Sequence, residues 1–117
     1  MRLFEQGYKI NYVDTNNRLV GFDHDAQCCE DFGTGVFAYV PENVDDATRI
    51  DPDTLENYAF ADHEPVAFDG CKHPDSGGAL AFLIQGDGEP DLYVCIWNFH
   101  NGYYAHGFEY WNGDGDL

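Results

Sequence analysis

ALAFLIQ at residues 79–85, LYVCIWNF at 92–99 and YYAHGFEYW at 103–111 are short aromatic and aliphatic runs, each set off by Gly, Asn, Asp or Pro. Runs of this length and make-up read as strands. Asn101-Gly102 separates the last two, and this pair favours a two-residue type I′ turn because both residues tolerate positive φ. The three runs are therefore expected to form an antiparallel meander, with Trp97 facing His106 and His100 facing Tyr103. In that register Tyr93, Cys95, Trp97 and Phe99 share a face with Tyr104, His106, Phe108 and Tyr110. Leu92, Val94 and Ile96 share the other with Ala105 and Gly107. Both faces are apolar, so each must be covered, by a helical segment on one side and by the remaining strands on the other.

Working outward, Tyr8, Ile10 and Tyr12 alternate with Lys9 and Asn11, the period of a half-buried strand. Asp14-Thr15-Asn16-Asn17 is turn chemistry and residues 19–22 return, which predicts an N-terminal hairpin. TGVFAYV at 34–40 is a further strand, stopped by Pro41. Residues 41–60 read differently. Asp53-Thr54-Leu55-Glu56 fits a capping box with Asp53 as N-cap and Glu56 reaching back, and a first helical turn is expected near 42–48. Neither turn is long enough to hold without packing on the sheet. The fold class expected is α+β: a twisted, mainly antiparallel sheet of five to seven strands with a C-terminal three-stranded meander and one or two short helices. Residues 1–117 make one expected domain, with 112–117 a frayed acidic tail.

The chain carries 22 Asp and Glu against 5 Lys and Arg, a formal net charge of −17. With 44% hydrophobic and 16% aromatic residues it still has enough apolar side chain for a core, which argues against disorder. The charge is also unevenly distributed. No basic residue occurs from 19 to 48 or from 73 to 117, and the five that exist are Arg2, Lys9, Arg18, Arg49 and Lys72. Such a surface repels nucleic acid and anionic membrane, and the electrostatic expectation is a basic partner. No apolar run is long enough to span a bilayer and the N-terminus lacks a signal-peptide core, so a cytoplasmic location with reduced cysteines is expected.

The candidate interface is Glu42, Asp45, Asp46, Asp51, Asp53 and Glu56, which a short helical segment would project together. Double-stranded DNA carries about one charge per 1.7 Å of its axis, and spaced carboxylates can imitate such a row. The plain alternative is charge for solubility or for high salt, given 15 Asp and only 2 Lys. His24, Cys28, Cys71 and His73 could together make a tetrahedral zinc site, although His-x₃-Cys and Cys-x-His are not the usual spacings. Asn112-Gly113-Asp114-Gly115-Asp116 starts like a calcium loop and lacks the closing Glu. There is no nucleophile elbow, phosphate loop or metalloprotease motif. A thiol enzyme built on Cys29 with His24 or His106 would need a lowered thiol pKa, and the neighbouring Asp25, Glu30 and Asp31 work against one. No cofactor is expected.

HDAQCCE at 24–30 and the GYY run at 102–104 resemble a family of small phage and prophage proteins that carry a His-x₃-Cys-Cys-Glu motif and a final aromatic strand. The resemblance covers about a third of the chain. It implies an origin in a mobile element and, by analogy, an anti-CRISPR or anti-restriction role. The function expected is that of a non-enzymatic acidic protein that blocks a host nucleic-acid-binding defence complex by DNA mimicry. The alternatives are a zinc-stabilised module, an acidic domain without mimicry, and a thiol-dependent enzyme.

Overall fold

The computed structural model of the protein describes residues 1–6, 9–16, 18–23, 30–62, 64–68, 76–100 and 110–114. They form nine strands, every pair of them antiparallel: β1 (Arg2–Gln6), β2 (Lys9–Val13), β3 (Arg18–Asp23), β4 (Glu30–Phe37), β5 (Tyr58–Phe60), β6 (Val66–Phe68), β7 (Ser76–Gly86), β8 (Leu92–His100) and β9 (Tyr110–Asp114). One four-stranded sheet has the order β1-β2-β3-β9. A second has the order β4-β8-β7-β5, with β6 also on β7. The expected single sheet is thus two sheets. The count exceeds seven because β5 and β6 are three-residue strands too short to show a period. They lie one after the other along the same edge of β7, opposite Ile84–Gly86 and Ala79–Ala81 respectively.

The β2–β3 hairpin forms where expected, with Val13 opposite Leu19. β7 and β8 pair over nine residues, from Ile84–Leu92 to Ser76–His100. Their connection turns at Gly86, where the Glu89 N–H donates to the Gly86 carbonyl (3.1 Å) and Gly88 takes the positive φ of +75°. The third strand of the expected meander is corrected. β8 has β7 on one edge and β4 on the other, so neither edge is open to the run at 103–111. Tyr110 and Trp111 instead pair with Phe22 and Gly21 of β3. The physical reason lies at Trp97. Its partner is Gly33 rather than His106, and a glycine leaves the indole room that an imidazole would fill. Asn101-Gly102 and the rest of 101–109 fall outside the described residues. Asn112, Gly113 and Asp114, expected in a frayed tail, are part of β9.

The two faces of β8 divide as their alternation requires. Leu92, Val94 and Ile96 join Val36, Phe60, Phe82 and Ile84 in a cluster that Ile10, Tyr12 and Val20 of the four-stranded sheet complete. Cys95 and Trp97 join Phe37, Ala79 and Ala81 on the reverse, with Tyr93 and Phe68 packed alongside. That reverse face is covered by the segment between β4 and β5, through Val44, Val40 and Ala47. Both coverings match the expectation except in conformation, because the covering segment is not helical.

Among the described residues the only helical element is a 3₁₀ turn at Pro52–Thr54. Its N-cap is Asp51, not Asp53: the Asp51 carboxylate accepts from the Asp53 N–H at 3.0 Å. Pro52 explains the shift. It presets φ and lacks an N–H, which suits the first helical position. Near 42–48 an Asx turn replaces the expected helical turn. The Asn43 side chain accepts from the Asp45 N–H (2.9 Å) and the Asn43 carbonyl from the Asp46 N–H (3.2 Å). Short polar side chains compete in this way with helical hydrogen bonding.

Side-chain links at Thr34 and at Asp14 tie the sheets together, beside a backbone bond from the Thr15 N–H to the Tyr58 carbonyl (3.5 Å). Thr34 Oγ1 lies 2.8 Å from the Tyr12 hydroxyl and 2.9 Å from the Cys95 carbonyl. A carbonyl can only accept, so the Thr34 proton goes there and the Tyr12 hydroxyl donates to Thr34. The second link is Asp14, which is only 3% exposed. One carboxylate oxygen accepts from the Asn16 and Arg18 N–H groups (2.9 and 2.8 Å), closing the β2–β3 turn. The other accepts from the Phe60 N–H in β5 (2.8 Å).

Candidate functional site

The six carboxylates of the candidate interface lie on the 38–57 connection, and the way that connection is anchored sets where they stand. Val44 is buried against the Phe37–Trp97 cluster, and Leu55 is buried in the core between the sheets. Between them the Ile50 N–H donates to the Val36 carbonyl at 2.8 Å, tying the chain to β4. Anchored at these three points, the segment turns its polar residues outward. Glu42, Asp45, Asp46, Asp51, Asp53 and Glu56 are all exposed.

They stand at two turns of the connection. Glu42, Asp45 and Asp46 surround the Asn43 turn. Asp51, Asp53 and Glu56 surround the 3₁₀ turn, where the Thr54 hydroxyl and N–H both donate to the Asp51 carbonyl (2.7 and 3.1 Å). Each group borders a depression. Tyr39, Val40, Glu42, Asn43, Asp46 and Ala47 line an open groove of about 620 Å³. Asp53, Glu56 and Tyr58 line a smaller one of about 280 Å³, which Glu89 of the β7–β8 turn joins. Glu89 and Tyr39 were not legible as site residues, since one lies 33 positions beyond Glu56 and the other reads as strand.

Arg49, the one basic residue within this stretch, is engaged elsewhere. Its guanidinium carbon sits 5.2 Å from the centre of the Trp97 ring, and Nη1 donates to the Thr34 carbonyl at 3.3 Å. A cation over an aromatic face is held electrostatically by the ring quadrupole. Arg2 is disposed likewise, 5.3 Å above the ring of Phe4.

The zinc set His24, Cys28, Cys71 and His73 lies outside the described residues, as do Cys29 and His106. Among the described residues no three His, Cys, Asp or Glu side chains converge as a metal site would require. Asp114, in the run that starts like a calcium loop, lies in β9 opposite Arg18 of β3 in the backbone register. Cys95 is a fully buried free thiol, and burial pushes its pKa up to about 12. Burial of this kind favours the neutral thiol, which is a weaker nucleophile than the thiolate. Among the described residues no helix is long and apolar enough to cross a membrane.

The arrangement therefore offers exposed carboxylates on an anchored, non-helical scaffold, with an open groove at each of its two turns. No protein-family model matches the chain, and no curated protein or solved structure matches it either.

Proposed function

We propose that the protein is a non-enzymatic acidic binding protein that occupies the nucleic-acid-binding surface of a basic partner, presenting carboxylates where that partner expects phosphates. One observation carries this reading. Six exposed carboxylates occur within residues 42–56 on a backbone anchored from beneath, while Arg49, the cation among them, is turned onto Trp97 and the Thr34 carbonyl. A backbone anchored at Val44, Ile50 and Leu55 has less loop freedom to lose on binding than an unanchored one. The resemblance of the 24–30 and 102–104 motifs to small phage proteins adds a class of partner, a host defence nuclease or RNA-guided effector.

The test is competition on such a basic nuclease or effector. Affinity is expected to fall steeply between roughly 50 and 200 mM salt, as phosphate contacts do, and duplex DNA is expected to displace the protein. Binding that ignores both salt and DNA overturns mimicry.

A further inference from the structure

We infer that the groove lined by Tyr39, Val40, Glu42, Asn43, Asp46 and Ala47 receives an arginine side chain of the basic partner. This rests on the reading of the acidic surface as an interface and says where its specificity lies. Both grooves of that surface are acidic, one lined by Glu42 and Asp46 and the other by Asp53, Glu56 and Glu89, but their other lining residues differ. The one beside Glu56 is small, about 280 Å³, and its aromatic residue, Tyr58, is buried. The one beside Asp46 is about 620 Å³ and is bounded by Tyr39, which is 59% exposed, the highest exposure recorded for a large hydrophobic side chain among the described residues.

An aromatic face and two carboxylates in one depression suit a planar cation. Arginine stacks on aromatic rings and matches carboxylates with its fork of donors, whereas lysine offers a compact, strongly hydrated charge. The chain itself shows the pairing twice, in Arg49 over Trp97 and Arg2 over Phe4. The Tyr39 ring carries no such cation among the described residues, although Glu42 and Asp46 border the same groove. Val40 and Ala47 supply apolar lining against which the methylene stem of an arginine can lie. The Asn43 turn fixes the loop that bears both carboxylates.

The experiment titrates the intact protein with an acetylated, amidated Gly-Arg-Gly-Arg-Gly peptide and its lysine counterpart at low salt, following amide and ring NMR shifts. The arginine peptide is expected to bind more tightly and to shift the Tyr39 resonances. Tyr39→Ala is expected to weaken it about fivefold, and Tyr39→Phe to retain it. The pair Glu42→Gln/Asp46→Asn is expected to cost more than the equally charged pair Asp53→Asn/Glu56→Gln. A change of less than about twofold on Tyr39→Ala overturns the assignment, as does equal loss from the two charge pairs or no binding at all. Equal loss from both pairs would leave the acidic-surface reading standing. Displacement by duplex DNA tests that reading separately, with the full-length partner.

Discussion

Gly33 stands directly across the β4–β8 pair from Trp97, and the indole fills the volume in which any side chain at position 33 would begin. Phe37 closes the ring on one side, at 6.2 Å between centroids, and Arg49 covers it on another. In most strands Gly→Ala is stabilising, because glycine surrenders more backbone freedom on folding. Here the sign reverses, since a methyl group must displace a buried indole. Gly33→Ala is expected to lose about 1–3 kcal/mol, measured as a lower urea midpoint with the slope unchanged. A midpoint equal to the parent's or higher would show that the indole does not need that space.

Asp14 supports a second prediction, because it serves two sheets with one carboxylate. Both oxygens accept backbone N–H groups, so Asp14→Asn turns an amide NH₂ toward a donor on one side or the other. The expected cost is about 1–3 kcal/mol, the desolvation penalty of a buried group left without its partner. The change should also be local in an identifiable way. Hydrogen exchange at the Phe60 amide is expected to accelerate by more than at Ile96, which pairs within β7–β8–β4 and does not depend on the carboxylate.

These two residues mark how far the sequence could be read. Asp14 was legible as a turn residue from Asp14-Thr15-Asn16-Asn17, because that chemistry is local. Its bond to Phe60, 46 residues away, has no local signature. The alternation of Leu92, Val94 and Ile96 with Tyr93, Cys95 and Trp97 gave both faces of β8 correctly, since period two belongs to any strand. The identity of the neighbour did not follow. Asn101-Gly102 suggested a hairpin partner, whereas the edge of β8 is occupied by β4, which brings Gly33 to Trp97. Among the acidic residues, exposure was legible from composition, whereas grouping was not. It depends on where Val44, Ile50 and Leu55 anchor the chain, and on Pro52 moving the cap from Asp53 to Asp51.

The buried hydroxyl and thiol give the protein an alkaline limit. Burial pushes Tyr12 from an ordinary value of 10.0 up to about 12, and Cys95 from 9.0 up to about 12. Both folded-state values are raised, so above the unfolded pKa the unfolded chain releases protons that the folded chain keeps. Stability is therefore fully present below about pH 9 and falls as pH rises from 9 through 12. The urea midpoint is expected to decline over that window. Cys95→Ala is expected to flatten the early part of the decline while lowering the midpoint at pH 7 through the cavity it leaves. A thiol reagent at pH 8 should reach Cys95 only after denaturant is added. Rapid labelling of the native protein at that position would contradict the buried thiol.

The negative surface sets the last prediction, because the same charges act on stability and on binding in opposite senses. Exposed carboxylates around one turn repel each other, and this repulsion is screened within about 10 Å at 0.1 M salt. Replacing Glu42, Asp45 and Asp46 together by Gln, Asn and Asn should therefore stabilise the protein at low salt, and the gain should vanish as salt is raised toward molar. Wild type should gain stability between roughly 10 and 150 mM salt and then level off, since that range already shortens the Debye length to about 8 Å. A protein adapted to high salt would instead unfold at low ionic strength and need molar salt to recover. If the surface serves binding, the triple substitution must also weaken association with the basic partner and flatten its salt dependence. A variant that is more stable and binds equally well would show that these carboxylates are there for solubility, and the interface would have to be sought elsewhere on the molecule.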